Sequence, residues 1–158
     1  MSSSPIWLER LQNRISDVSL LVLRLWLGQE FLFAAYQKLS NGLMPPEWFL
    51  HLDFPFPHGL LSPSMNWVIA GMGELLLGFA LVAGLYTRLA AIGLIYVTYV
   101  AVYTVHFDLS WAGWRLIETE DGNGFKVPLM IALMLLVLVG NGGGRWSIAQ
   151  FVDGTKRY

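Results

Sequence analysis

Four long apolar runs dominate the chain, separated by polar, proline-rich or glycine-rich segments. They lie at about residues 18–39, 67–86, 89–107 and 125–141. The first three approach the ~20 residues with which an α-helix crosses a hydrocarbon core of ~30 Å, and the fourth is shorter. Because backbone groups in a bilayer must be satisfied within their own segment, the runs predict helices. The predicted fold class is all-α: a polytopic membrane protein whose residues 1–158 form a single membrane domain, a four-transmembrane-helix bundle.

The segments between the runs differ in length. Residues 86–88 leave only a tight turn, so the second and third helices should be antiparallel neighbours. Residues 40–66 and 108–124 form two long loops on the opposite side of the membrane. The first loop holds five of the seven prolines among several aromatic residues, and we expect it to include a short helix at about residues 46–52 and to fold over the mouth of the bundle.

Both ends of the chain have an amphipathic pattern. Near the N-terminus, apolar side chains share one face of a predicted helix, at Ile6, Leu8, Leu11 and Ile15. Near the C-terminus the pattern is weaker, at Ile148, Phe151 and Val152. Such helices are typical of the membrane interface, so we expect interfacial N- and C-terminal helices that anchor the bundle.

Composition supports a membrane protein and limits its partners. The chain is 55% hydrophobic and 13% charged, whereas a soluble domain carries about 25% charged residues. The net charge of −1 gives no reason to expect a nucleic-acid partner. Six basic residues flank one side of the predicted membrane, at Arg10, Arg14, Arg88, Arg145, Lys156 and Arg157. The positive-inside rule therefore predicts that both termini are cytoplasmic.

Ionisable residues inside the apolar runs are the main indication of function. Glu74 lies in the middle of the second run, and Arg24 and Glu30 lie within the first. A charged residue at the bilayer centre costs about 2.5–3.5 kcal/mol on insertion scales, so it is rarely kept without a partner or a task. Gly71 and Gly78 share the helix face of Glu74, which allows another helix to approach that face closely.

Helical geometry brings several polar residues to one level. With a rise of ~1.5 Å per residue, Glu30 and Glu74 fall in the same outer half of the membrane, near Lys38. The third run carries Tyr96, Tyr99, Tyr103 and His106 at 3-4-3 spacing, which places them in one stripe. We therefore predict an outward-facing ligand pocket formed by Arg24, Glu30, Lys38, Glu74, Tyr99, Tyr103 and His106, with Glu30 and Glu74 as the candidate proton relay.

Three interpretations of this set stay open. Phenols, an imidazole and carboxylates within apolar walls can bind a quinone and exchange its protons. Alternatively the charges are structural, with Arg24 paired to a glutamate on another helix, for which Glu74 is the candidate. The weakest interpretation is a metal site of Glu30, Glu74 and His106, because these ligands lack any local spacing; no metal is expected.

Other cofactor classes have little support. Haem is disfavoured because two histidines at one level on two spans are missing. The glycine-rich residues 140–144 follow a span instead of a strand, so they do not predict a nucleotide site. The absence of cysteine excludes disulfides and thiolate chemistry.

Three stretches together resemble the DoxX family of small bacterial membrane proteins: residues 23–39, 74–91 and 142–148. The resemblance implies a multi-pass protein of the bacterial cytoplasmic (inner) membrane with four helices. The wider group includes DoxD, the small membrane subunit of thiosulfate:quinone oxidoreductase, and partners in oxidative-stress complexes. Arg24, Lys38, Glu74 and Arg88 stand at the polar positions of the family.

Sequence and resemblance together predict a small subunit or accessory factor of a redox membrane system, with quinone as the candidate ligand. Its partners would be the lipid bilayer and a second protein or another copy of the chain. One alternative is a non-catalytic scaffold for a stress- or metal-linked system. A weaker alternative is a small-solute or metal transporter. Whether the chain is an enzyme by itself is left open.

Overall fold

The computed structural model describes residues 5–40, 42–105 and 124–150. Their helices are α1 (Ile6–Ser40), α2 (Glu47–Leu50), a 3₁₀ turn (His58–Leu60), α3 (Pro63–Ala83), α4 (Thr87–Thr104) and α5 (Lys126–Asn141). The predicted all-helical fold is confirmed. Three helices, α1, α3 and α4, are long and apolar enough to cross a membrane, whereas α5 has only 16 residues. Four spans were predicted, and the three longer ones meet the length that a crossing requires.

Helix α1 differs from its predicted form. It has 35 residues, which corresponds to ~52 Å and exceeds the hydrocarbon thickness. The predicted interfacial N-terminal helix is the beginning of α1 and continues without interruption into the first span. No glycine or proline occurs between Ile6 and Gly28 to end the helix. Of the predicted C-terminal helix, Phe151 and Val152 lie outside the described residues.

Local sequence explains where α3 and α4 begin and end. Ser62 is the N-cap of α3 and accepts a hydrogen bond from the Met65 amide at 3.3 Å, and Pro63 occupies the first turn. The helix ends because Gly84 adopts a left-handed conformation with φ 72°. Tyr86 follows with φ 44°, and α4 starts at the next residue. The predicted tight turn between antiparallel neighbours is confirmed.

The helices pack in the order α1, α3, α4, α5, and α5 also touches α1. Leucines from all four of these helices fill the core, at Leu27, Leu81, Leu94, Leu135 and Leu138. Helices α1 and α3 approach each other closely: a Cβ atom on Gly78 would lie 3.3 Å from the backbone oxygen of Gly28. As predicted, the glycine face of α3 admits another helix at very short range.

The bundle has two chemically distinct ends. At the Glu74 end, defined by the C-terminus of α1 and the N-terminus of α3, the loop of residues 42–61 folds over the helices. Phe49 is buried there, with its ring centroid 5.7, 5.3 and 4.8 Å from those of Trp48, Phe54 and Trp67. This aromatic cover places the first loop over one end of the bundle. The Arg24 end, defined by residues 84–86 and 142–150, lies opposite.

Candidate functional site

A buried ion pair joins α1 to α3. The Nζ atom of Lys38, in the last turn of α1, lies 2.9 Å from both carboxylate oxygens of Glu74. Glu74 is only 6% exposed, and Lys38 is partly buried. Trp67 lies alongside: its indole nitrogen donates to the backbone oxygen of Lys38 at 3.2 Å, and its ring centroid is 5.9 Å from the ammonium nitrogen. Each charge therefore has a counter-charge in an otherwise apolar setting.

A cavity of about 400 Å³ lies beside this pair, between α3 and α4 and beneath the aromatic cover. Its walls are mostly apolar and include Phe49, Trp67, Leu77, Val97 and Val100. The polar side chains that line it are few: Lys38, Glu74, His58, Asn66, Tyr96 and Thr104. An apolar chamber with a small number of placed polar groups is the usual form of a small-molecule site.

His58 and Asn66 form a second polar pair on the cavity wall. The Nδ2 group of Asn66 donates to the His58 backbone oxygen at 3.0 Å, so its Oδ1 is the acceptor for the His58 Nδ1 atom at 2.8 Å. In the neutral imidazole, Nδ1 then carries the hydrogen and Nε2 is left as an acceptor. The His58 ring stacks on Tyr96 with centroids 5.7 Å apart, which fixes the ring at the wall of the cavity.

Arg24 lies away from this cavity, and the expected partnership with Glu74 is wrong. Its guanidinium donates to the backbone oxygens of Gly143, of Trp146 at 3.1 Å and of Val82 at 3.3 Å. The residue is 2% exposed, and its Nε atom has no hydrogen-bond partner within the described ranges. Fourteen residues separate Arg24 from Lys38 along α1, a rise of ~21 Å that puts them at opposite ends of the bundle.

Arg88 and Arg145, at the Arg24 end, also form hydrogen bonds in or near the segment that follows α5. Arg88, at the start of α4, donates to the backbone oxygen of Gly140 at 3.3 Å. The backbone amide of Arg145 donates to the Asp17 carboxylate at 3.2 Å. Arg24 and Arg88 therefore hold the chain that leaves α5 rather than a ligand in the Glu74 cavity.

The remaining predicted site residues separate into different surroundings. Glu30 is exposed on the face of α1 that points away from the bundle, and it does not line the cavity. Tyr99 and Tyr103 form the predicted stripe with Tyr96, at 6.4 Å between successive ring centroids. Tyr96 lines the cavity, whereas Tyr99 and Tyr103 do not. The structure brings together only Lys38 and Glu74 of the set, and His106 lies outside the described residues.

The weak metal interpretation gains no geometric support. Glu74 faces the cavity and Glu30 faces outward, so the two carboxylates do not converge. Within residues 5–40, 42–105 and 124–150, no cluster of three histidine or carboxylate side chains is present.

Sequence reasoning missed four polar residues of the cavity: His58, Asn66, Tyr96 and Thr104. Asn66 fell in the predicted first loop (residues 40–66), where helical spacing gives no signal, whereas α3 begins at Pro63. Tyr96 belonged to the predicted tyrosine stripe but was not selected. His58 lies in a loop, where no periodicity indicates the direction of a side chain.

Long apolar helices joined by a buried ion pair define a multi-pass helical membrane protein. A family model described as DoxX matches residues 19–107, more than half of the chain, and the protein belongs to the DoxX family. The chain is also similar to a protein of Haemophilus influenzae described as uncharacterized. The two are 36% identical over 145 residues, which cover 90% of this chain and 89% of the relative. No solved structure matches the chain significantly.

Proposed function

We propose that this DoxX-family protein is a small redox-linked membrane subunit that binds a quinone-class ring in the cavity at the Glu74 end. One observation carries the proposal: a chamber of about 400 Å³ with aromatic and aliphatic walls has a buried ion pair on its surface. A quinone ring is flat and apolar on both faces and has two carbonyl oxygens at its edge. Such a ligand matches apolar walls with a few polar groups.

Polar groups on the cavity wall suit both oxidation states of the ring. An oxidised quinone needs hydrogen-bond donors at its carbonyl oxygens, and the Lys38 ammonium has three donor hydrogens. A reduced hydroquinone needs acceptors for its hydroxyl groups, and His58 Nε2 is an acceptor in the neutral ring. One donor and one acceptor thus border the same chamber.

Glu74 is the group on this wall that we expect to exchange a proton with the ligand. Reduction of a quinone consumes two electrons and two protons, and the electrons would come from a donor protein that binds the subunit. The two protons would come from water, and Glu74 would relay one of them by taking it up and passing it to the reduced ring. The Lys38 ammonium lies 2.9 Å from both oxygens of Glu74, so this uptake changes the charge directly at the ligand site. Glu30, outside the cavity, takes no part.

Quinone analysis of gently purified protein tests the proposal. Wild type, Glu74→Gln and the matched control Glu30→Gln are extracted and measured by mass spectrometry, with circular dichroism to verify folding. Losing the carboxylate should weaken quinone binding by about tenfold or more, which corresponds to ~1.4 kcal/mol. Glu30→Gln should retain quinone like the wild type. A well-folded wild type that contains no quinone and binds none when it is added would refute the proposal.

A non-catalytic scaffold is the second candidate, and one observation favours it. Lys38 and Glu74 satisfy each other across the α1–α3 interface, and the two helices approach to backbone contact at Gly28 and Gly78. Both features would serve a bundle whose only task is to hold a partner protein. In that case Glu74→Gln lowers stability and removes no bound ligand.

We also propose an orientation within the bacterial inner membrane. Arg88 and Arg145 lie at the Arg24 end, and the positive-inside rule favours the cytoplasm for this end. The ligand cavity then opens near the outer surface. Helix α5, with 16 residues, would complete a fourth crossing with help from its flanking residues.

A further inference from the structure

The face of α1 that points away from the bundle carries two polar residues where lipid tails are expected. Gln29 and Glu30 are both exposed. Glu30 stands ten residues before the end of α1, a depth of ~15 Å along the helix axis. Among the residues that the structure describes, none forms a hydrogen bond or an ion pair with Glu30. A carboxylate facing lipid at this depth is unfavourable and rare, so this surface requires a polar partner.

The exposed residues around this pair have the spacing of a helix–helix seam. Val22, Trp26, Gln29, Phe33 and Tyr36 follow one another at intervals of four, three, four and three residues. All five are exposed, with fractions of 57–67% for the four apolar and aromatic ones. An exposed stripe with a mean repeat of 3.5 residues is the pattern by which two helices pack along their length. We call these five residues the α1 seam.

We propose that the α1 seam binds the same seam of a second copy, forming a symmetric parallel dimer. All copies of a membrane protein insert in one orientation, so a twofold axis along the membrane normal places equal residues at equal depth. In such packing, each seam side chain inserts between four residues of the facing helix. For the side chain at position 29, these four include the residue at position 30 of the facing helix. Gln29 therefore meets Glu30 of the partner subunit.

Hydrogen-bond complementarity identifies the second copy as the occupant. The Gln29 side chain has an amide donor, and the Glu30 carboxylate is an acceptor. Twofold symmetry makes the bond twice, once in each direction, and each copy brings both groups at the required depth. Trp26 and Phe33 flank the polar pair on either side and would shield it from lipid. The dimer does not depend on a ligand in the cavity, because the α1 seam does not line that cavity.

Single cysteines can test the seam because the chain has no cysteine of its own. Trp26→Cys and Phe33→Cys leave the polar pair intact and report on the seam in native membranes under mild oxidation. Phe79→Cys is the matched control: it is 62% exposed on α3, next to Gly78, which lies at the depth of Gly28. We expect both seam variants to give disulfide-linked dimers severalfold more efficiently than the control.

A second series tests the polar pair itself. In the Trp26→Cys background, Glu30→Leu should lower the cross-linked fraction severalfold, whereas Glu30→Gln should keep most of it because a carboxamide still accepts from Gln29. Circular dichroism should show unchanged helicity for both variants. Equal cross-linking at Phe79→Cys, no effect of Glu30→Leu, or cross-links from the seam to a different protein would each overturn the dimer.

Discussion

Replacing Lys38 alone should destabilise the bundle more than replacing Lys38 and Glu74 together. In Lys38→Met the Glu74 carboxylate stays 6% exposed and loses its counter-charge. Removing one partner of a buried ion pair costs about 3–5 kcal/mol, whereas exchanging both partners for apolar residues of similar volume is often close to neutral. Lys38→Met/Glu74→Met keeps side chains of comparable length and removes both charges.

The geometry of the pair sets the expected size of the effect. At 2.9 Å from Nζ to each carboxylate oxygen and an effective dielectric constant of ~20, the gross attraction is about 5–6 kcal/mol. The Lys38 side chain is 22% exposed, so screening and desolvation remove part of it. We expect Lys38→Met to cost about 3 kcal/mol and the double variant about 1 kcal/mol, which makes the coupling free energy at least ~2 kcal/mol.

Reversible unfolding in mixed micelles, followed by far-ultraviolet circular dichroism, gives these free energies for both single variants and the double variant. Gln37→Met is the matched control, because Gln37 is the exposed neighbour of Lys38 and surface changes usually stay within about 0.5 kcal/mol. A coupling free energy below ~0.5 kcal/mol would refute the reasoning. The contact of α1 with α3 would then rest on apolar packing and on the hydrogen bonds to the backbone oxygens of Lys38 and Val82.

Two backbone features allow further predictions. Gly28→Ala should lower the free energy of unfolding by about 1–3 kcal/mol, because the added Cβ would overlap Val82 Cγ2 and lie 3.1 Å from the backbone oxygen of Gly78. Gly140→Ala is the control: a Cβ there meets nothing within 4 Å, so it should be neutral or stabilising. Equal losses of stability for the two variants in a thermal melt would contradict this. Tyr86→Gly should increase the free energy of unfolding by up to ~1 kcal/mol and raise the melting temperature, because Tyr86 is exposed and has φ 44°. An equal gain for Tyr86→Ala would argue against backbone strain.

The apolar runs predicted the helices well because hydrophobicity over twenty residues is a strong signal. The boundaries were less accurate. Helix α3 begins four residues before its predicted start because Ser62 and Pro63 begin the helix within a loop that is itself apolar. Helix α1 begins at Ile6 because an amphipathic segment and a span can share one helix when nothing between them breaks it.

The sequence limited the possible ion-pair partners of Glu74 to a few basic residues but did not identify the right one. Fourteen residues separate Arg24 from Lys38, so helical spacing puts both on one face of α1. It also puts Glu74 on a glycine face of α3. Choosing between the two cations requires the relative height of α1 and α3, which the Gly28–Gly78 contact determines. That contact is tertiary, so spacing within either helix could not reveal it.

Glu30 lies outside the cavity for a different reason. Eight residues separate it from Lys38, which rotates it by ~80° around the helix, away from the inward face. Six residues separate Glu30 from Arg24, which also rotates Glu30 by ~120° from the inward position of Arg24. Glu30 lies in the same predicted half of the membrane as Glu74, but its direction around α1 keeps it out of the cavity.

The carbonyl groups that surround Arg24 have a consequence for how the protein is made. Arg24 belongs to the first helix, whereas two of its acceptors, Gly143 and Trp146, follow 119 and 122 residues later. At about 5–20 residues per second, the ribosome needs ~6–24 s to synthesise that interval. During this time the guanidinium must stay hydrated or use temporary partners. Arg24 can therefore reach its final environment only after residues 143–146 have been synthesised, so a segment that follows α5 allows the first helix to settle.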